Sequence, residues 1–171
     1  MRFLIVQDHK ENRKKCTLTP LEGAPGFSFM RLEAPKAEPA TLEVGSGILL
    51  RIDAPPLSRA DRALVVEGQL VLVDSTWIRA PRILDRVCEA PGARLEARSL
   101  PPGICTAYPR VSKLHRDPPG GLASVEAIFA ATVVLGEPAA QLLEGYRWAS
   151  QFLERNLDAF RRLCPGADFF P

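Results

Sequence analysis

Short, continuously apolar segments constrain the fold of this chain more than any other feature of its sequence. Residues 47–50 (GILL) and 70–73 (LVLV) contain no polar side chain. A strand with one face in water alternates apolar and polar residues, whereas a strand of a parallel sheet is covered on both faces. We therefore expect an α/β fold with helices packed on both sides of a parallel sheet.

Five segments carry the strand signal, and helical patterns lie between and after them. The predicted strands are residues 3–6, 27–32, 48–52, 69–73 and 104–108. Ser58 predicts a capped helix through residue 66, and Ser75 or Thr76 predicts another that reaches Val87. After about residue 110 the pattern is helical, with helices predicted over residues 124–135 and 138–163. We thus predict a five-stranded α/β domain over residues 1–108 and a helical C-terminal half over residues 109–171.

Composition narrows the class of protein. The formal net charge of the 171 residues is only +2, so any nucleic-acid surface must be a local patch. The four cysteines are far apart and form no CxxC pair, which argues against a zinc site and a disulfide framework. No apolar run has the length of an export signal or a membrane span. We expect a cytoplasmic monomer with no bound metal and no membrane partner.

Asp74 is the first candidate for chemistry, because it stands where an apolar strand ends and a helix begins. Ligands of open α/β sheets bind at the carboxyl ends of the strands. Asp74 could act as a general base, or it could cap the following helix. Trp77 could form the apolar wall of a ligand pocket or pack in the core. Trp148, within the amphipathic pattern of the last helix, is interpreted as packing.

Basic residues cluster in two predicted loops. Arg13, Lys14 and Lys15 follow the first strand, and Lys113 and Arg116 follow residues 104–108. Each group could contact RNA phosphates or simply be solvated. The chain has no GxGxxG, no GxxxxGK[ST] and no arrangement typical of a hydrolase, which disfavours the common nucleotide-binding and hydrolytic classes.

Six segments in order resemble those of the small-subunit rRNA aminocarboxypropyltransferases of archaeal and eukaryotic ribosome biogenesis, which are related to the SPOUT class. The segments are residues 14–17 (KKCT), 47–61, 73–77 (VDSTW), 98–101 (RSLP), 122–127 (LASVEA) and 146–156. The resemblance spans nearly the whole chain. It implies a SPOUT-like fold with a trefoil knot.

The resemblance also implies a cofactor, a reaction and a structured RNA partner. S-adenosylmethionine would donate its 3-amino-3-carboxypropyl group to N3 of a uridine or pseudouridine in small-subunit rRNA, releasing methylthioadenosine. Asp74 would accept the N3 proton, and Thr17 would hold the amino-acid end of the cofactor. The remaining cofactor contacts would come from Leu49, Val73, Trp77, Ala80, Leu100, Gly120 and Leu122.

Two departures leave alternatives open. Residues 105–112 (CTAYPRVS) differ from the family's AANPVNYG run, so a non-catalytic RNA-binding protein of ribosome assembly is one alternative. Residues 73–77 are also similar to the Asp-x-Thr-Trp signature of the DTW-domain tRNA aminocarboxypropyltransferases. The other alternative is therefore an enzyme that modifies a uridine of tRNA. The segments 14–17 and 146–156 favour the rRNA family.

Overall fold

The chain folds around a parallel sheet, as its apolar runs predict. The computed structural model describes residues 1–34, 40–109 and 117–165. The strands are β1 (Phe3–Gln7), β2 (Phe27–Arg31), β3 (Leu42–Val44), β4 (Gly47–Leu50), β5 (Gln69–Asp74), β6 (Val87–Glu89) and β7 (Leu95–Arg98). Five of them form one sheet in the order β2-β1-β5-β4-β7, with every pair parallel. The prediction of a five-stranded parallel sheet is confirmed, while the small parallel pair of β3 and β6 was not predicted.

The fifth strand of the sheet is not the one that the sequence predicts. Residues 104–108 pair with no strand, and β7 forms the edge beside β4 instead. The backbone of the 104–108 segment bonds to side chains: Asn156 accepts the N–H of Cys105 at 2.6 Å and donates to its carbonyl at 2.8 Å. A short apolar run predicts burial but not which partner satisfies its backbone.

Of the four predicted helices, one begins at the residue that the sequence predicts, and three begin later in the chain. They are α1 (Ala63–Val66), α2 (Ala80–Leu84), α3 (Ser124–Val134) and α4 (Ala149–Leu163). Ser58 and Asp61 form the expected capping box ahead of a 3-10 turn that leads into α1. The prediction of a helix carrying Trp77 through Val87 is wrong, because Trp77 lies in the turn before α2 and Val87 belongs to β6.

The long helix predicted over residues 138–163 is interrupted. A 3-10 turn (Ala140–Leu143) precedes α4, and Gly145 between them has φ = +73°, in the left-handed region that ends helices. Leu142 and Tyr146, which are apolar positions of the amphipathic pattern in this segment, are nevertheless buried. Within the described ranges, no helix combines the length and the apolar character needed to cross a bilayer.

Two apolar clusters cover the two faces of the sheet. The larger one joins alternate residues of the strands to α3 and α4, and its largest buried members include Ile5, Ile48, Leu70, Ile128, Phe129, Phe152 and Phe160. The smaller one joins the other strand face to α2 and the β3-β6 pair through Val6, Val44, Leu49, Val71 and Ile83. The sheet and the C-terminal helices therefore share one core. The division of the chain at residue 108 stays a prediction.

Glu126 fixes the C-terminal helices to the segment that precedes them. Its carboxylate is fully buried and accepts hydrogen bonds from the Thr106 and Tyr146 hydroxyls at 2.5 and 2.9 Å. The N–H groups of Ala107 and Ala123 donate to the same carboxylate, each at 2.9 Å. Four donors satisfy this buried carboxylate, so its removal would leave several buried polar groups without partners.

We predict that Glu126→Ala lowers the free energy of unfolding by about 3 kcal/mol or more, because each buried donor left unpaired costs about 1–3 kcal/mol. Urea unfolding followed by circular dichroism measures the change. Glu137→Ala is the matched control, since Glu137 pairs with Arg62 on the surface and such pairs contribute about 0–1 kcal/mol. Equal losses in the two variants would contradict the role assigned to Glu126.

Candidate functional site

Asp74 lies at the carboxyl end of β5, where its side chain joins three parts of the chain. Only 5% of the residue is exposed. Its Oδ2 accepts hydrogen bonds from Gln7 Nε2 and from the Cys16 thiol, each at 3.1 Å, and its Oδ1 accepts one from the Ser124 hydroxyl at 2.6 Å. The carboxylate does not cap α2, so the capping alternative is wrong. Within the described residues it forms no salt bridge, and neutral donors alone surround it.

Thr17 reaches the same place from the loop after β1. Its hydroxyl oxygen accepts the N–H of Val125, in the first turn of α3, at 3.3 Å. Because Ser124 also begins α3, Asp74 and Thr17 meet at the N-terminus of an 11-residue helix. The partial positive charge of a helix N-terminus favours carboxylates and other anions. Two of the residues predicted for the site are thus brought together.

Cys16 stands between these two residues and stays protonated. Burial, and then the charge and hydrogen bond of Asp74, raise the pKa of the Cys16 thiol to about 12. At neutral pH the thiol therefore donates to the carboxylate and is a poor nucleophile. This protects Cys16 from alkylation by any electrophile bound nearby.

A second buried carboxylate at this edge, Asp8, has a different environment. Its Oδ2 accepts from the Ser75 hydroxyl at 2.6 Å and from the Arg79 guanidinium at 2.5 Å. Burial acts to raise the pKa of Asp8, but the bonds from the Lys10 backbone, Ser75 and Arg79 outweigh it and lower the pKa. Asp8 is therefore held ionised in a salt bridge that ties the loop after β5 to β1.

Trp77 lies against the loop that leads into α3. A Cβ on residue Gly121 would be only 3.0 Å from the Cζ2 atom of the indole. The ring can pack this closely because glycine has no side chain. Beside it, the buried Thr76 Oγ1 has no hydrogen-bond partner among the residues that the structure describes. Buried hydroxyls are rarely left unpaired. A half-buried aromatic wall beside an unpaired hydroxyl fits a cofactor with a planar base and polar groups, such as S-adenosylmethionine.

The other predicted cofactor residues occupy different surroundings. Leu49 belongs to the smaller apolar cluster, on the sheet face opposite the cluster that includes Leu122 and packs against Leu100. Val73 packs against the smaller cluster, Ala80 is buried at the start of α2, and Gly120 adopts φ = +76° beside Gly121. The structure therefore brings Trp77 and the 120–122 segment together, and it places Leu49 and Leu100 on opposite sides of the sheet.

A groove of about 280 Å³ opens next to Thr17. Its floor includes Cys16 and Thr17, and its walls carry Tyr108, Trp148 and three cations: Lys14, Lys15 and Arg147. We call it the aromatic groove. Trp148, interpreted from sequence as packing, is only half-buried and lines this groove.

The predicted RNA-binding residues differ in whether they form salt bridges. Arg13 forms a salt bridge with Glu22, which also pairs with Arg31. Lys14 and Lys15 are exposed and line the aromatic groove. Lys113 and Arg116 lie outside the described residues.

Sequence reasoning missed the donors that surround Asp74. Gln7 follows four apolar residues at the carboxyl end of β1, and β1 is the neighbour of β5 in the sheet. A polar residue at that position could have indicated a partner for Asp74, but only if the pairing of β1 with β5 had been known. Ser124 was recognised only as a helix start. In the part of the chain that the structure describes, no cluster of acidic, histidine or cysteine side chains could hold a metal ion.

Comparisons with known proteins agree on one family. Residues 48–167 match the family described as "Ribosome biogenesis protein, C-terminal". A 16S rRNA aminocarboxypropyltransferase from Methanopyrus kandleri is 30% identical over 135 residues, which cover 76% of this chain and 75% of the relative. One from Saccharolobus islandicus is 26% identical over 167 residues, which cover 94% and 87%.

The fold has a solved counterpart. The SAM-dependent rRNA:acp-transferase Tsr3 from Vulcanisaeta distributa superposes with a TM-score of 0.71 over 95% of this chain and 82% of that protein, at 24% identity. That likeness supports the fold. The match over residues 48–167 and the 30% identity to the Methanopyrus kandleri protein show that the chain belongs to the rRNA aminocarboxypropyltransferase family of ribosome biogenesis proteins.

Proposed function

We propose that this protein is an enzyme that transfers the 3-amino-3-carboxypropyl group of S-adenosylmethionine to N3 of a uridine or pseudouridine in small-subunit rRNA. The observation that carries the proposal is the meeting of Asp74 and Thr17 at the N-terminus of α3, beside the aromatic groove. Relatives named 16S rRNA aminocarboxypropyltransferase support the reaction class and the RNA.

Bound S-adenosylmethionine supplies a sulfonium that activates three carbons, and displacement at the aminocarboxypropyl carbon leaves methylthioadenosine. The protein chooses among those carbons by orientation. Trp77 would provide an apolar wall that shields the methyl group. Thr17 can donate its hydroxyl hydrogen to the carboxylate of the amino-acid arm while its oxygen keeps the bond from Val125.

In this proposal Asp74 takes the proton that the acceptor nitrogen releases. Its carboxylate forms no salt bridge within the described residues, and Cys16, one of its three donors, also lines the aromatic groove. Cys16 itself remains a thiol and does not compete with the base for the activated carbon. General-base catalysis by such a group contributes about 10²–10⁴-fold to a rate.

We also infer from the family resemblance that the chain has a SPOUT-like trefoil knot and a helical C-terminal half. The packing of α3 and α4 on one face of the sheet supports this arrangement. The cytoplasmic location and the monomeric state stay predictions.

The test of the function is the identity of the by-product. Protein, S-adenosylmethionine and unmodified small-subunit rRNA are mixed, and the small molecules are separated by chromatography and mass spectrometry. We expect methylthioadenosine, together with an RNA nucleoside heavier by one aminocarboxypropyl group. S-adenosylhomocysteine would assign a methyltransferase instead. Activity on tRNA alone would assign the tRNA alternative, and RNA binding without either product would assign an assembly factor.

We predict that Trp77→Ala weakens S-adenosylmethionine binding about ten- to hundredfold, because an aromatic wall contributes about 1.5–3 kcal/mol of apolar contact. Isothermal calorimetry measures the affinity. Ile78→Ala is the matched control, since the neighbouring Ile78 is 53% exposed. Its affinity should stay within about twofold of the unaltered protein. Equal affinities in both variants would remove Trp77 from the cofactor site.

We predict that Asp74→Asn retains S-adenosylmethionine binding and loses about 10²–10⁴-fold in turnover, because an amide cannot accept the proton. Single-turnover formation of methylthioadenosine measures the loss. Ser124→Ala is the control: it removes one hydrogen bond to Asp74 and keeps the carboxylate, so its turnover should fall much less. A similar fall in both variants would indicate that Asp74 acts only by holding the site together.

A further inference from the structure

We propose that the aromatic groove is the acceptor-base site, in which an unpaired uracil of the RNA stacks on Trp148 while its flanking phosphates contact Lys14, Lys15 and Arg147. This inference rests on the proposed function. It adds to that function the place on the protein where the RNA base is held.

The walls of the groove provide a stacking platform. Tyr108 packs edge-on against Trp148 at 5.0 Å between ring centroids, and Tyr146 does so at 5.7 Å. The Arg147 guanidinium lies 5.6 Å from the centroid of the same indole. Indole rings and guanidinium planes are the groups on which proteins stack unpaired RNA bases. Trp148 is held in place by its neighbours and is only half-buried, so it can receive a base.

The charges of the groove suit a nucleic acid. Among the described residues that line it, three are cations and none is a carboxylate. Lys14, Lys15 and Arg147 are exposed, and within the described ranges none of them forms a salt bridge. Arg13, in contrast, forms a salt bridge with Glu22. In a chain with a net charge of only +2, this local concentration marks where phosphates would bind.

The floor of the groove connects it to the reacting groups. Thr17, which would hold the amino-acid arm, lines the groove, and so does Cys16, whose thiol touches Asp74. A base on Trp148 would therefore enter on the side where the arm is held. The volume of about 280 Å³ lies just below the range of about 300–1,000 Å³ typical of small-molecule sites, which suits a single nucleoside better than a duplex.

Fluorescence of Trp148 provides the direct test. The chain has two tryptophans, so a Trp77→Phe protein reports on Trp148 alone. We expect a short oligouridylate to quench this fluorescence at low salt. An oligomer of equal length with abasic sugars carries the same phosphates and should bind with little quenching. A blunt duplex, whose bases are paired, should also quench little.

Affinity measurements separate stacking from charge. Trp148→Ala should weaken oligouridylate binding about 5- to 150-fold, which is the effect of about 1–3 kcal/mol per stacked base. Trp148→Phe keeps an aromatic face and should restore most of the affinity. Lys14→Ala and Lys15→Ala should each reduce the slope of log affinity against log salt by about one. Arg161→Ala, which removes an exposed cation of α4 that does not line the groove, should leave the slope unchanged.

Three outcomes would overturn the assignment, and they are distinguishable. If Trp148→Ala binds oligouridylate and forms methylthioadenosine on rRNA as the unaltered protein does, the groove is not the base site, although the proposed function stands. If Trp148→Ala loses S-adenosylmethionine affinity in calorimetry, the groove belongs to the cofactor site. If the unaltered protein binds S-adenosylmethionine but shows no RNA binding and no turnover, the proposed function fails, and this inference fails with it.

Discussion

The carboxylate of Asp74, buried among neutral donors, holds the carboxyl edge of the sheet together. Gln7, Cys16 and Ser124, which donate to it, belong to β1, to the loop after β1 and to the start of α3. A buried carboxylate is stable only while its hydrogen bonds persist, so these three segments cannot separate without leaving the carboxylate oxygens unsatisfied. Thr17 meets α3 through a separate bond, in which its hydroxyl oxygen accepts the N–H of Val125. The structural constraint and the candidate chemistry therefore depend on one side chain.

A second buried polar group shapes the aromatic groove. Glu126, in α3, accepts hydrogen bonds from the hydroxyl of Tyr146, which lines the groove, and from the backbone of Ala107, which precedes the groove residue Tyr108. Asn156 satisfies the backbone of the neighbouring Cys105 from α4. Segment 104–108 thus stays in place without joining the sheet. Side chains of the C-terminal helices here perform the task that a neighbouring strand performs elsewhere in the fold.

Some cations of the chain form salt bridges with carboxylates, whereas others are exposed at the aromatic groove. Arg79 is paired with the buried Asp8, and Arg13 and Arg31 share Glu22. Lys14 and Lys15 remain exposed at the mouth of the groove. A nearly neutral chain can therefore carry a locally positive surface, whose field is set by the nearby charges and not by the net charge.

The apolar runs at residues 47–50 and 70–73 determined by themselves that the sheet is parallel and covered on both faces, and they put Asp74 at its carboxyl end. The segments resembling a known family correctly indicated which family the chain belongs to. The tertiary structure alone decided that the fifth strand is β7, that Trp148 faces a groove, and that Gln7, Cys16 and Ser124 meet at Asp74. The physical reason is the range of the interactions. Burial of an apolar run is a local property that the sequence carries, whereas the partner of a buried polar group lies on a distant segment, and only folding brings the two together.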